Sequence, residues 1–202
     1  MTCILVVCTG NICRSPIAEG VLRAEFGRRL GERAPEVISA GTAGWEGSPA
    51  MPESVDAAAE LGADISGHVA HLLSSHDVAR ADLIVGMSSE HRDEVIHSTP
   101  GAAQKTFTLK ELVRLLEELP PVDASTGADA ASSWLRRVRQ AQDLRTSGFP
   151  GNPQDEDVAD PLGLPFETYR AVAWDINEWC VRLVDALMGK APARAGIWDK
   201  DD

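Results

Sequence analysis

Residues 3–15 read Cys3-Ile4-Leu5-Val6-Val7-Cys8-Thr9-Gly10-Asn11-Ile12-Cys13-Arg14-Ser15, and this order of side chains decides the fold class. Residues 3–7 are apolar without alternation, the mark of a strand buried on both faces of a parallel sheet. Gly10 and Asn11 break the run, being residue types that tolerate the positive φ of a curled loop. Ser15 and Pro16 then supply an N-cap and a first-turn proline, and a helical pattern follows to about Arg29.

The rest of the chain repeats that alternation. Residues 36–40, 81–87 and 105–108 read as further strands, and 52–61, 88–97 and 109–119 as helices. The last helix is the clearest, with Tyr169, Val172, Ala173, Ile176, Trp179, Cys180, Leu183, Val184 and Leu187 at helical spacing. This order predicts an α/β fold in one domain: a doubly wound, four-stranded parallel sheet with helices on both faces. The domain is expected to span 1–189. Residues 120–157 read as an insertion within it, because they hold too few apolar side chains for a core of their own. Arg136, Arg137, Arg139 and Arg145 are expected on a solvated helix face there, and 190–202 as a flexible tail.

Composition narrows the function. The 202 residues carry 19 basic and 31 acidic side chains, a net charge of −12. Such acidity excludes a nucleic-acid partner and anionic lipid. No apolar run is long enough for a membrane span and no basic leader precedes the first strand, so a cytoplasmic protein is expected. The four cysteines lie at 3, 8, 13 and 180, three of them crowded at one end. A secreted disulfide framework would spread them, and no zinc spacing occurs, so a localised thiol site is expected, with no metal and no cofactor.

The strand-to-helix junction carries that site. A cysteine, five residues, an arginine and a hydroxyl residue make a phosphate-cradling loop with a nucleophile at its base. Amides of Thr9, Gly10, Asn11, Ile12 and Cys13, curling into a helix N-terminus, converge on an anion. Arg14 offers a planar fork to two oxygens. The helix dipole, Arg14 and the Ser15 hydroxyl all favour Cys8 as thiolate.

The segment VCTGNICRSPIAEG closely resembles the active-site loop of the low-molecular-weight protein tyrosine phosphatases. SAGTAGW at 39–45, Gly67-His68 and Asp160-Pro161 resemble that family too. The resemblance implies that Cys8 attacks phosphorus to form a cysteinyl-phosphate, held by Arg14 and the loop amides. It implies that Asp160, in the chain's only Asp-Pro, is the general acid, with Asp155 and Asp157 as alternatives. Ser15 would bond the Cys8 sulfur, and Asn11, Ser39, His68 and Glu19 would lock the loop, Glu19 as the partner of His68. A Cys8–Cys13 disulfide would protect the nucleophile from oxidation, while Cys3 and Cys180 read as core. The implied partner is a phosphorylated protein, foremost a phosphotyrosine one, with Trp45 as one aromatic wall of the cleft.

Two markers of substrate disagree. Leu162-Gly163 stands where family members acting on phosphotyrosine carry aromatics, and this form resembles the protein-arginine phosphatase branch. Ile12, where that branch has threonine, resembles the phosphotyrosine form. Arsenate reductases share the scaffold but need further cysteines within 86–100, where this chain has none. A non-catalytic phosphate-binding module would need neither Cys8 nor Asp160.

Overall fold

A computed structural model of the chain describes residues 2–122, 130–149 and 155–190. Four strands, β1 (Cys3–Cys8), β2 (Glu36–Gly41), β3 (Leu83–Gly86) and β4 (Thr106–Thr108), form one parallel sheet in the order β2-β1-β3-β4. All six residues of β1 are buried, as a strand paired on both edges requires. The helices are α1 (Arg14–Leu30), α2 (Pro52–Glu60), α3 (Ser75–Arg80), α4 (Ser89–Ser98), α5 (Leu109–Glu117), α6 (Ala130–Thr146) and α7 (Phe166–Leu187).

Alternate β1 side chains feed two cores, which is why helices cover both faces. Ile4 and Val6 join α1, α5 and α7 in the larger core, with α2 and α6 contributing. Leu5 and Val7 pack with Val78 of α3 and Val95 of α4 in the smaller one. The chain leaves β1 toward β2 on one side and returns to β3 on the other. The loop after Cys8 therefore sits at the switch point, where doubly wound sheets open a crevice. None of the described helices is long and apolar enough to cross a membrane.

Three local readings are corrected. Helix α1 starts at Arg14 with Cys13 at its N-cap position, so Ser15 lies inside the first turn and its hydroxyl is free for the site. Helix α3 was not anticipated: six residues hold too little periodicity, although Ser74 and Asp77 form a capping box. Nor is the whole basic stretch a solvated face: Arg136 and Arg139 are exposed as expected, but Arg137 is buried and Arg145 half-buried, and α6 lays buried Trp134, Val138 and Ala141 on the larger core against α5 and α7. The insertion's remaining residues, 123–129 and 150–154, and the expected tail from 191 lie outside the described residues.

Arg137 shows what the insertion does for stability. It is 2% exposed and donates to three carbonyls: Ala186 at 2.6 Å, Pro120 at 2.9 Å and Leu116 at 3.0 Å. Leu116 and Ala186 lie in the last turns of α5 and α7, where the helix dipoles favour a cation, and Pro120 follows α5. Arg137→Ala strands buried acceptors. It is expected to cost about 3 kcal/mol and lower the melting temperature by about 6–12 °C in a chain of this size. A thermal melt checks this; a shift within 2 °C or so of zero would mean water replaces the guanidinium.

Candidate active site

The loop from Cys8 to Ser15 is held from behind by a side-chain network. Asn11 adopts φ +55°, the one non-glycine residue with positive φ among those described. Its Nδ2 donates to Ser39 Oγ at 2.8 Å and Ser15 Oγ at 3.0 Å, and its Oδ1 accepts from the His71 amide at 3.0 Å. Ser39 in turn donates to Glu19. His68 Nε2 meets the Asn11 carbonyl at 2.8 Å, while its Nδ1 stays 3.9 Å from Glu19. Glu19 is thus tied to Ser39 and Arg23 more directly than to His68.

Gly10 is required for a reason other than the one expected. It is not among the positive-φ glycines; a Cβ there would stand 2.6 Å from Cδ1 of Trp45. Trp45, 46% exposed, thus lies against the loop beside Gly10. Gly41, at the end of β2, is equally constrained: a Cβ would come within 2.7 Å of the Thr9 carbonyl. The sequence reading attached no role to Gly41.

Cys8 is buried at the loop's base, its Sγ 2.9 Å from Ser15 Oγ. Cys13 is also a free, buried thiol, and burial pushes it up to about 11, so it stays protonated at neutral pH. Arg14 is 6% exposed. Its Nη1 donates to the Val158 carbonyl at 3.2 Å, and its Nη2 to Asp160 Oδ2 at 2.5 Å and Thr9 Oγ1 at 3.4 Å. Its Nε is buried with no partner among the described residues. Such an orphaned, charged donor is costly unless an acceptor arrives.

Asp160 reaches this arginine from the far end of the chain. The segment 155–160 lies along α4 and α5. Asp155 pairs with Arg114 at 2.5 Å and Lys110 at 3.2 Å, and Asp157 accepts from the Ser89 amide at 2.7 Å. Asp155 and Asp157 are thus tied to α4 and α5, whereas Asp160 is the carboxylate bonded to Arg14; Asp157 also lines the cleft. Asp160 Oδ1 accepts from the Leu162 amide at 3.1 Å, a local turn that Pro161 stiffens. Leu162 is exposed.

His91 was not singled out from the sequence, though Ser88 and His91 follow β3 at N-cap spacing. Ser88 caps α4, and its Oγ lies 2.7 Å from His91 Nδ1; His91 Nε2 lies 2.9 Å from Thr9 Oγ1. Burial first, then the charge of Arg14, pushes His91 down to about 4, so the imidazole is neutral at pH 7. A cleft of about 310 Å³ opens here, lined by Thr9, Arg14, His91, Val158 and Asp160. The described residues include no cluster of three or more His, Cys, Asp or Glu able to hold a metal ion.

Comparison with known proteins agrees with this geometry. The family model described as low molecular weight phosphotyrosine protein phosphatase matches residues 3–123. A probable low molecular weight protein-tyrosine-phosphatase, EpsP of Ralstonia nicotianae, is 41% identical over 109 residues, 54% of this chain and 71% of that protein. A protein-arginine-phosphatase of Geobacillus stearothermophilus is 31% identical over 186 residues, 91% of this chain and 95% of its own. Among solved structures, the low molecular weight protein tyrosine phosphatase from T. tengcongensis superposes with a TM-score of 0.66 at 32% identity, covering 92% of this chain and 99% of that one. The chain belongs to the low molecular weight phosphotyrosine protein phosphatase family, and is a phosphatase.

Proposed function

We propose that the protein hydrolyses phosphomonoesters on proteins, foremost phosphotyrosine, through a cysteinyl-phosphate formed on Cys8. The observation that carries this reading is the buried Arg14 Nε without a partner, on the side chain that also holds Asp160. A phosphoryl group above Cys8 supplies the missing acceptor, and the loop amides take its other oxygens. Cys8 Sγ attacks phosphorus as the P–O bond to the leaving group breaks. Asp160 gives its proton to the departing oxygen. Water then attacks phosphorus as Asp160 takes its proton; the new P–O bond forms as the S–P bond breaks, inorganic phosphate is released, and Sγ leaves as thiolate with Ser15 Oγ beside it.

Phosphotyrosine is favoured over phosphoarginine by two residues. Ile12 is 3% exposed and apolar, offering no acceptor to a guanidinium, and exposed Trp45 gives an aromatic ring a wall. Arsenate reduction lacks support: beyond Cys8 and Cys13 the thiols are Cys3 and Cys180, both buried and both pushed up by that burial. The reading further takes the partner to be a phosphorylated protein and the setting to be cytoplasmic, where free thiols persist.

Parallel assays of p-nitrophenyl phosphate, phosphotyrosine peptides and phosphoarginine peptides test it. Phosphotyrosine should exceed phosphoarginine in kcat/KM; the reverse order would move the protein to the arginine branch. Asp160→Asn should lower kcat/KM by about 10²–10³ on phosphotyrosine. p-Nitrophenyl phosphate, whose leaving group needs little protonation, should lose far less. Equal losses would remove Asp160 from the proton transfer.

A further inference from the structure

The segment that delivers Asp160 belongs to no helix or strand of the sheet, yet it is tied residue by residue to β3, α4 and α5. Asp155 has two cations and lies exposed, so either can substitute for the other. Asp157 and Val158 are held by backbone groups, the latter donating to the Met87 carbonyl at 2.8 Å. Glu156 differs from these. It is 8% exposed, a carboxylate removed from water four residues before Asp160, and among the described residues its single ion-pair partner is Arg92 Nη1, at 3.0 Å.

Arg92 is itself fixed from several sides. Its Nε donates to Asp93 at 2.9 Å, and Nη1 lies 3.5 Å from Glu111 Oε2. Glu111 also closes the capping box of α5 and faces Arg145 of α6 at 3.4 Å. A line of alternating charge therefore runs from α6 through Arg145, Glu111 and Arg92 to Glu156, and ends at the strap carrying Asp160. Arg145 is anchored in turn on the carbonyls of Ala103 and Thr106, with its guanidinium over the Phe107 ring.

We infer that Arg92 is a positioning residue for proton transfer: by holding Glu156 inside, it sets the reach of Asp160 over the phosphate loop. This rests on the reading of Asp160 as general acid. Without Arg92 the Glu156 carboxylate loses its ion-pair partner, keeps only the more distant charge of Arg145, and is driven toward water, since a poorly paired buried charge is costly. The strap then moves outward, carrying Val158 and Asp160 with it. A displacement near 1 Å is enough to cost about a hundredfold in a step that depends on approach geometry. Attack by Cys8 is affected less: the phosphate loop is held from the opposite side by Asn11, Ser39 and Gly41, and Arg14 gives up its bond to the Val158 carbonyl but keeps its place in the loop. The loss therefore falls mainly on esters that need their leaving oxygen protonated.

The test compares kcat/KM for phenyl phosphate and p-nitrophenyl phosphate, a ratio that reports the step in which the leaving group departs. Arg92→Gln is expected to lower phenyl phosphate turnover about tenfold or more and to change p-nitrophenyl phosphate by less than about threefold. Arg92→Lys should restore most of the loss, because a cation again faces Glu156. On an Asp160→Asn background, Arg92→Gln should add almost nothing for phenyl phosphate. Should Arg92→Gln fold poorly, the double variant Arg92→Gln/Glu156→Gln removes the stranded charge and should fold with both esters within about threefold of wild type; a selective loss on phenyl phosphate of about tenfold or more in it overturns the inference. A purely structural role predicts equal losses on both esters, or an additive loss on the Asp160→Asn background, and either result overturns the inference. If Asp160→Asn itself shows no dependence on leaving group, the general-acid reading fails first, which the same plate of assays reports separately.

Discussion

Replacing Cys8 by serine is expected to abolish turnover, with kcat falling by about 10⁴–10⁶ as for other enzymes that lose their nucleophile. The substitution is nearly isosteric, so the loop should stay in place: Asn11 still bridges Ser15 and Ser39, and His68 still meets the Asn11 carbonyl. What disappears is the sulfur nucleophile itself. A serine hydroxyl keeps its proton, and the group within reach of position 8 is the Ser15 hydroxyl, which is no base. Inorganic phosphate should bind the variant within a few-fold of wild type, measured by calorimetry or by protection against thermal unfolding. Retained hydrolysis at more than about one-hundredth of the wild-type rate would mean that water attacks directly and no phosphoenzyme forms.

Arg14→Lys should be nearly as damaging, lowering kcat/KM by about 10³-fold. The guanidinium donates to Val158, Thr9 and Asp160, and its Nε has no partner among the described residues. An ammonium has no fork: it can face Asp160 or a phosphoryl oxygen, but it cannot span both with fixed geometry. The charge is kept, so a simple Coulombic role for Arg14 predicts a mild effect. Steady-state assays on p-nitrophenyl phosphate distinguish the two, since a loss under tenfold would support charge alone. The same pairing explains why the ligand-free acid does not stray. Arg14 holds Asp160 until an anion competes for the guanidinium.

The parts of the molecule written in local sequence were legible before any coordinates. The strand, loop and helix of residues 3–30 follow from one apolar run, two turn-forming residues and a proline. Helix α7 follows from nine apolar positions at one spacing, all buried in the structure. The contact between Cys8 and Ser15 and the network of Asn11, Ser39 and His68 were expected through the family resemblance. What stayed hidden depends on contacts between distant residues. Nothing near Glu156 announces that Arg92 will meet it, and nothing near Thr9 announces His91. Trp134, Val138 and Ala141 did stand at helical spacing, but the arginines around them suggested solvent. Arg136 and Arg139 do face solvent; the reading failed at Arg137, because a guanidinium can be buried where helix C-termini supply carbonyls. Gly10 was read as a conformational need and proved a steric one.

Helix α6 has a consequence for how the chain can be shortened, grafted or divided. A surface excursion can be clipped out and its ends rejoined at the modest entropic cost of a shorter loop. Here excision would remove an indole and two aliphatic side chains from the larger core, uncap two helices at once, and take away the Arg145 that faces Glu111. The residue count of a smaller relative is therefore no guide to a minimal version of this enzyme. Because α6 shares the larger core, it is expected to unfold with the sheet as one cooperative unit.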